Sequence, residues 1–157
     1  MLWVPTAESY HKSIGLSVEH RAEMVSLAIA DDDRFELSLV DIERGGATYS
    51  IDTLNDLELV YPGAEFTFVM GYDSWESIDT WKHAAELRAR ATVAVVNRAG
   101  STGAPATERL RWVEIPSIGI SSTECRQRVH AGLSLNYWTP LGVGNYIAQH
   151  KLYLEGQ

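Results

Sequence analysis

Residues 120–126 combine three hydroxyls with an arginine at the start of a predicted helix. Ser121 and Glu124 have the spacing of a capping box, in which a hydroxyl and a carboxylate satisfy free backbone N–H groups of the first turn. The other N–H groups and the helix dipole favour an anion. Arg126, one turn into the helix, can bind the same anion through two N–H groups. The pattern predicts either a phosphate site or a simple helix cap.

A second candidate site follows the apolar run at residues 66–70, which is typical of a buried strand. Gly71 comes directly after this run, and glycine allows a ligand to approach the backbone closely. Asp73 follows two residues later, where a carboxylate commonly binds ribose hydroxyls. The alternative is a turn capped by the Asp73 side chain.

Two tryptophans flank the next segment, and an indole can stack on a planar ring or pack in a core. We expect Trp75 to lie in the core or at a partner surface, and Trp81 to lie at a ligand. Thr48, Tyr49 and Ser50 open a predicted helix. We therefore expect a hydroxyl of this segment to cap the helix. A second hydroxyl that points to a substrate carboxylate is compatible with such a cap.

His11 and Lys12 lie in a polar loop after the first predicted strand and are weak candidates for anion binding. The aspartates at residues 31–33 have no companion ligands at metal-site spacing, so we expect a solvated helix end and no metal site. The other histidines fall on predicted helices, where we expect them to be solvated or capping: His20, His83, His130 and His150.

Composition places the chain among soluble globular proteins of one domain, residues 1–157. Hydrophobic residues make up 45% and charged residues 22% of the 157 positions. The net charge of −8 argues against duplex DNA and anionic membranes as partners. Cys125 is the single cysteine, so no internal disulfide can form and a cytoplasmic location is expected. We expect Cys125 to be a packing residue.

Predicted strands and helices alternate along the whole chain. This order, with several apolar strands, predicts an α/β fold with a parallel sheet covered by helices on both faces. Ligands of such sheets bind beyond the carboxyl ends of the strands, where the polar motifs fall, so a single active cleft is expected. The strands are predicted at residues 1–4, 34–42, 66–70, 92–96 and 109–115, and the helices at 18–30, 50–60, 83–90, 122–131 and 141–149.

Taken in order, these motifs resemble the nicotinate-nucleotide adenylyltransferase family of nucleotidyltransferases. No single motif is unique to that family, but the ordered set is specific and spans nearly the whole chain. The matching segments include Val4-Pro5, His20-Arg21, Asp41-Ile42-Glu43-Arg44-Gly45-Gly46, Asp52-Thr53-Leu54, Gly71-Tyr72-Asp73, Thr80-Trp81, Val96-Asn97-Arg98-Ala99-Gly100, Ile120 to Arg126, Tyr146-Ile147 and Leu152-Tyr153.

The resemblance implies a Rossmann-like nucleotidyltransferase fold and transfer of AMP from ATP to nicotinate mononucleotide. The products would be nicotinate adenine dinucleotide and pyrophosphate, as a step of NAD biosynthesis, with Mg²⁺ on the ATP phosphates. The mononucleotide phosphate would attack the α-phosphorus in line, without a covalent enzyme intermediate. The enzyme then contributes positioning and charge stabilisation.

The resemblance also implies residue roles. Trp81 would stack on the pyridine ring, while Ser50 and the backbone around Trp81 and Lys82 would hold the carboxylate. The implied catalytic residues are His11, Lys12 and Arg126. The implied ATP ligands are Gly71, Asp73, Arg98, Ile120, Ser121, Ser122, Thr123 and Arg126, and the implied mononucleotide ligands are Thr48, Tyr49, Ser50, Trp81 and Lys82.

Two departures from the family pattern qualify these expectations. Ala99 stands where the family has proline, a small change in a turn. The family's opening strand, with its glycine-rich turn and H-x-G-H motif, has no counterpart, so the first βα unit is expected to be missing. Truncation of a normal enzyme is favoured over a natural variant with altered or no catalysis, because the other motifs are intact.

Two other functions stay open. One is a non-catalytic nucleotide-binding or oligomer-forming homologue. The other is an enzyme like pantetheine-phosphate adenylyltransferase, against which the Thr48-Tyr49-Ser50 segment and Trp81 argue. The sequence leaves the oligomeric state open, homo-oligomers included.

Overall fold

The computed structural model describes residues 1–9, 15–97, 106–116 and 118–154. The chain divides into two compact units, which we call the first unit (Met1–Thr48 with Gly119–Gln157) and the second unit (Tyr49–Ile118). All paired strands named below run parallel to their partners. Helices separate most consecutive strands, so the predicted α/β class is confirmed.

The longest helix of the described residues has 12 residues. None of these helices has the length and apolar character needed to span a bilayer. In chain order the elements are β1 (Leu2–Trp3), β2 (Glu8–Ser9), α1 (Val18–Ile29), β3 (Glu36–Leu37), α2 (Val40–Arg44), β4 (Ala47–Thr48), α3 (Ser50–Val60), β5 (Thr67–Gly71), α4 (Tyr72–Glu76), a 3₁₀ turn (Ile78–Thr80), α5 (Ala84–Arg90), β6 (Thr92–Asn97), β7 (Leu110–Glu114), α6 (Ser122–His130) and α7 (Leu141–Gln149).

The first unit contains two short parallel strand pairs and a core built on helices. β1 pairs with β3, and β2 pairs with β4. The Ser17 side chain accepts a hydrogen bond from the His20 N–H and caps α1. The buried residues of the core are Leu135, Val143, Ile147 and Leu152, and partly buried side chains of α1 and α6 pack against them. Cys125 is one of these, so its predicted packing role is confirmed.

The segment at residues 34–42 differs from its prediction as one strand. Only Glu36–Leu37 is a strand, and α2 begins at Val40. The Asp41 side chain is 1% exposed and binds the Arg44 guanidinium at 2.7 Å, a pairing that helical i,i+3 spacing allows and a strand does not. Gly45 and Gly46 have φ of 71° and 69°, which ends the helix in a conformation that favours glycine.

The second unit contains a three-stranded parallel sheet in the order β5-β6-β7. The central strand β6 is buried along Val93, Ala94 and Val95. In β5 burial alternates, and Val69 is 48% exposed, so the prediction of a strand buried throughout is wrong there. Phe68 and Met70 of β5 join the hydrophobic cluster on one face of the strand, while Val69 lies on the opposite face.

Helices α3 and α5 pack against each other in the second unit. Their core contains Ile51, Leu54, Leu87 and Ala91. The bounds of α3 match the predicted 50–60, and Gly63, with φ of 81°, follows its end. The Arg90 guanidinium joins the two helices because it binds the Glu58 carboxylate at 2.6 Å as well as Glu86 of its own helix.

Candidate nucleotide site

The start of α6 has the predicted capping box. The Glu124 N–H donates to Ser121 Oγ at 3.2 Å. In return, the Ser121 N–H and hydroxyl both donate to Glu124 Oε2, at 3.0 and 2.7 Å. The hydroxyl and N–H of Ser121 are therefore used by the helix itself, so they contribute to the shape of this helix start.

The next residues leave their hydroxyls at the exposed first turn. Ser122 and Thr123 are both exposed. The Arg126 guanidinium bends back toward them, because its Nη2 donates to Thr123 Oγ1 at 3.3 Å. Donors of two kinds, hydroxyl and guanidinium, thus meet at the positive end of a helix, an arrangement that attracts anions. Ile120, 38% exposed, precedes this turn.

Tyr153 has no role predicted from the sequence beyond its place in the family match. It packs against the core of the first unit and has a φ of 61°, which is uncommon for a tyrosine. Burial raises the pKa of its hydroxyl above 10.0, an effect that the charges of Arg126 and Arg21 partly offset. The hydroxyl therefore stays protonated at neutral pH, close enough to both guanidinium groups to feel their charge.

Arg21 is a second residue that sequence reasoning missed. Its Nη1 donates to the Thr6 carbonyl at 2.6 Å and its Nη2 to the Ala7 carbonyl at 2.7 Å. The Ala7 N–H in turn donates to Thr48 Oγ1 at 3.1 Å. These contacts fix the chain that follows β1. The signal for Arg21 in the sequence is only its place beside His20 in the family match.

The prediction that Thr48 opens a helix is wrong. Thr48 belongs to β4, whose partner is β2, and its hydroxyl accepts the Ala7 N–H. The helix begins at Ser50, with Tyr49 as its N-cap residue and without a capping side-chain hydrogen bond. The Tyr49 backbone carbonyl accepts the N–H groups of Asp52 and Thr53. The predicted hydroxyl cap is therefore absent, since the extended backbone of β4 continues to Tyr49.

A charged cluster forms at the start of α3. Lys82 Nζ lies 2.8 and 3.1 Å from the two carboxylate oxygens of Asp52. The same ammonium lies 4.6 Å from the centre of the Tyr49 ring, within the range of a cation–π contact. Ser50 is the first residue of the helix at this place. Three of the residues predicted to bind the mononucleotide are therefore brought together within the second unit.

Trp81, a fourth predicted ligand, is adjacent in sequence to Lys82 and packs against both hydrophobic clusters of the second unit. Its ring meets Phe68 edge to face, with centroids 5.9 Å apart. Its backbone N–H donates to the Ile78 carbonyl at 3.0 Å. The indole is half-buried and fixed in orientation, which suits a stacking platform.

Trp75 packs in the core, which is one of the two positions predicted for it. It packs against the sheet of the second unit, and its ring lies 6.2 Å from that of Trp112. Both tryptophans of this segment are therefore packed, but only Trp81 adjoins the charged cluster.

Gly71 and Asp73 lie at the carboxyl end of β5, the place predicted for them. Gly71 ends the strand and precedes α4. A Cβ at this position would have no atom within 4 Å, and the φ of −74° is ordinary, so the space above Gly71 is open. Asp73 is exposed in the first turn of α4.

Tyr72 lies between these two residues in the sequence. The negative charge of Glu76 raises the pKa of the Tyr72 hydroxyl, which is therefore neutral.

Three predicted site residues lie outside the described residues: His11, Lys12 and Arg98. The described residues contain no group of three or more His, Cys, Asp or Glu side chains that could hold a metal ion.

The prediction that His20 is solvated or capping is wrong. Its Nδ1 lies 2.8 Å from the Tyr146 hydroxyl, and its ring packs against Tyr146 and His150, so it joins α1 to α7.

The sequence has close relatives over its whole length. The profile of the family described as cytidylyltransferase-like matches residues 1–128. A probable nicotinate-nucleotide adenylyltransferase of Clavibacter michiganensis subsp. michiganensis is 40% identical, over 100% of this chain and 80% of that protein. A protein of the same name from Thermus thermophilus is 37% identical, over 98% of this chain and 82% of that protein.

Solved structures share the fold. The Plasmodium falciparum nicotinic acid mononucleotide adenylyltransferase complexed with NaAD superposes with a TM-score of 0.77 at 21% identity. The same enzyme complexed with APC gives a TM-score of 0.74 at 19% identity. Each match covers 98% of this chain and 83% of the other. At these identities the likeness establishes the fold alone.

Proposed function

The chain belongs to the cytidylyltransferase-like family and, within it, to the nicotinate-nucleotide adenylyltransferases, and from this membership we propose that it transfers AMP from ATP to nicotinate mononucleotide. The observation that carries the proposal is the 40% identity to a relative of that name over the entire chain. The products are nicotinate adenine dinucleotide and pyrophosphate, in NAD biosynthesis. The lone Cys125 supports a cytoplasmic location for the enzyme.

The reaction needs positioning and charge stabilisation. An oxygen of the mononucleotide phosphate bonds to the α-phosphorus of ATP, and the bond between that phosphorus and the bridging oxygen breaks, which releases pyrophosphate. No side chain of the protein has to form a covalent bond to the transferred AMP. The protein holds the two phosphates in line and offsets the negative charge that gathers on the leaving group.

Magnesium enters this proposal as part of the substrate MgATP. Mg²⁺ typically keeps several water ligands and is held by substrate phosphates with one or two carboxylates. Bound there, Mg²⁺ would neutralise phosphate charge.

The ATP phosphates are assigned to the start of α6. Ser122, Thr123 and Arg126 are exposed there, and the Arg126 side chain already contacts Thr123. Ser121 acts through the capping box that shapes this turn. The family resemblance adds Ile120 to this turn, and His11, Lys12 and Arg98 as further phosphate ligands. It also assigns Gly71 and Asp73 to the ribose or base, in keeping with the open space above Gly71.

The mononucleotide is assigned to the start of α3. Trp81 is proposed to stack on the pyridine ring, and its fixed edge-to-face contact with Phe68 supports this role. Ser50 and Lys82 are proposed to bind the ring carboxylate, because both lie beside Tyr49 at this helix start. Thr48 is proposed to act through its place in β4, directly before this turn.

Titration calorimetry with ATP and with nicotinate mononucleotide tests the binding part of the proposal, and chromatography of a reaction mixture tests turnover. We expect both ligands to bind and the dinucleotide to form together with pyrophosphate. Binding of both without product would favour a non-catalytic nucleotide-binding homologue. Binding of 4′-phosphopantetheine in place of the pyridine nucleotide would favour the pantetheine-phosphate enzyme.

A further inference from the structure

We propose that Asp52 is a positioning residue, which holds the Lys82 ammonium at the start of α3 where it recognises the carboxylate on the ring of an acid mononucleotide. The inference rests on the proposed function and deepens it, since it names the residues that distinguish acid from amide substrates. Neither the capping motif nor the family resemblance assigned a ligand-directed role to Asp52.

The geometry of the ion pair is the first support. Lys82 Nζ lies within 3.1 Å of both Asp52 carboxylate oxygens, and the two residues are 30 positions apart in the sequence. A lysine side chain has several rotatable bonds and loses substantial entropy when it is ordered. A carboxylate that holds the ammonium in advance reduces the ordering that a ligand would otherwise have to impose.

The second support is that the ammonium keeps a donor for a ligand. An ammonium has three N–H donors, and the Asp52 oxygens accept two of them. The Lys82 side chain is 40% exposed, so solvent or a ligand can reach it. The Tyr49 ring lies 4.6 Å from Nζ, within the range of a cation–π contact, and holds the ammonium on a second side. The ammonium is thus fixed on two sides and open on another.

The third support is the neighbourhood of the pair. Ser50 begins α3 two residues before Asp52, and Trp81 directly precedes Lys82. A pyridine ring on the Trp81 indole would present its substituent to this group of side chains. A carboxylate there accepts a charge-assisted hydrogen bond from the ammonium, whereas a neutral amide lacks that charge.

Asp52 also has an opposing effect, because its negative charge partly neutralises Lys82. The two effects predict opposite results for Asp52→Asn. If positioning dominates, the variant binds the acid mononucleotide more weakly. If screening dominates, the variant binds the acid mononucleotide more tightly, and the proposal is overturned.

The test is calorimetry of nicotinate and nicotinamide mononucleotides with the whole chain and four variants. Asp52→Asn and Lys82→Gln are each expected to raise the Kd of the acid about two- to fivefold, the range of an exposed ion pair. The Kd of the amide is expected to change less than twofold. The double variant should resemble Lys82→Gln alone, since Asp52 acts through Lys82. Asp52→Glu, which keeps the carboxylate, should restore most of the acid preference.

Asp79→Asn is the matched control. It breaks a similar ion pair of the same unit, in which Asp79 binds Arg88 at 2.6 Å, and it should leave both Kd values unchanged. Thermal unfolding of every variant separates recognition from stability. Equal weakening of acid and amide by Asp52→Asn would show a structural role, and no change in either Kd would also overturn the inference. A wild-type chain that binds neither mononucleotide would overturn the proposed function together with this inference.

Discussion

Two neighbouring serines at the start of α6 have different environments. The Ser121 hydroxyl and N–H take part in the capping box with Glu124, whereas the Ser122 hydroxyl belongs to the exposed first turn. Capping contributes to the stability of the helix, and an exposed hydroxyl is available to a ligand. We therefore expect Ser121 to contribute to stability and Ser122 to contribute to the proposed ligand binding.

Replacement of each serine by alanine tests this division. Ser121→Ala should lower the free energy of unfolding by about 1 kcal/mol, the usual loss for a removed N-cap. Ser122→Ala should leave the unfolding midpoint unchanged and weaken ATP binding several-fold. Chemical denaturation and calorimetry measure the two effects. Equal loss of stability in both variants would contradict the division.

Trp81 gives a second prediction at this scale. Trp81→Ala should weaken binding of nicotinate mononucleotide by roughly 1–2 kcal/mol, since both stacking and apolar burial are lost. Trp81→Phe keeps a ring and should lose less. Calorimetry measures the affinities, and circular dichroism checks that the variants are folded, because the indole also packs against both clusters of its unit. An unchanged affinity in Trp81→Ala would remove Trp81 from the site.

At the scale of elements, the segment after α7 is held in an unusual backbone conformation. Lys151 and Tyr153 have φ of 54° and 61°. Leu152, between them, is buried in the core of the first unit. The positive φ values turn the chain so that both Leu152 and Tyr153 pack against the helices. This segment therefore completes the helical core.

Tyr153 makes the stability of this segment depend on pH. Burial raises the pKa of its hydroxyl above the unfolded value of about 10. Its contribution to stability is then complete below pH 10 and is lost as the pH rises through the folded pKa, because the unfolded chain releases the proton first. Tyr153→Phe should remove this loss of stability. Chemical denaturation between pH 8 and about 11 measures it as the free energy of unfolding. Tyr137→Phe, at a fully exposed side chain, is the control and should lose stability as the wild type does.

Elements with local signals were predictable from the sequence. The bounds of α3 and α7 follow from breakers and apolar spacing, and the capping box of α6 joins residues three apart. The helix α2 was not predictable, because it depends on burial of the Asp41 carboxylate against Arg44. The Asp52–Lys82 and Arg21–Thr6 contacts were missed for a related reason. They join residues 30 and 15 positions apart, and no local pattern encodes such a pairing.

At the scale of the whole molecule, the helix starts proposed to bind the ATP phosphates and the pyridine nucleotide belong to different units. The ATP phosphates are assigned to α6 of the first unit, and the pyridine nucleotide to α3 and Trp81 of the second unit. The roles of His11, Lys12 and Arg98 remain predictions from the family resemblance. The proposed reaction requires both ligands at once, but we expect that substitutions can change the recognition of each ligand separately.

Arg126→Ala tests the separation. The variant loses a guanidinium from the phosphate end, so ATP affinity should fall at least tenfold, as expected for a hydrogen bond to a charged group. Binding of nicotinate mononucleotide should change less than twofold. Arg109→Ala, which removes an exposed guanidinium of the second unit, controls for net charge. Equal losses for both ligands in Arg126→Ala would indicate misfolding.

The second unit is one uninterrupted stretch of chain, Tyr49–Ile118, between the two portions of the first unit. Most of the side chains proposed to choose the acceptor are therefore encoded in a single block of the gene, whereas Ser122, Thr123 and Arg126, proposed to bind the triphosphate, are encoded after it. Recombination that exchanges this block would transfer acceptor choice between related enzymes while the triphosphate end stays in place. We therefore expect a chimera that carries this block from a related enzyme to show the acceptor preference of that enzyme.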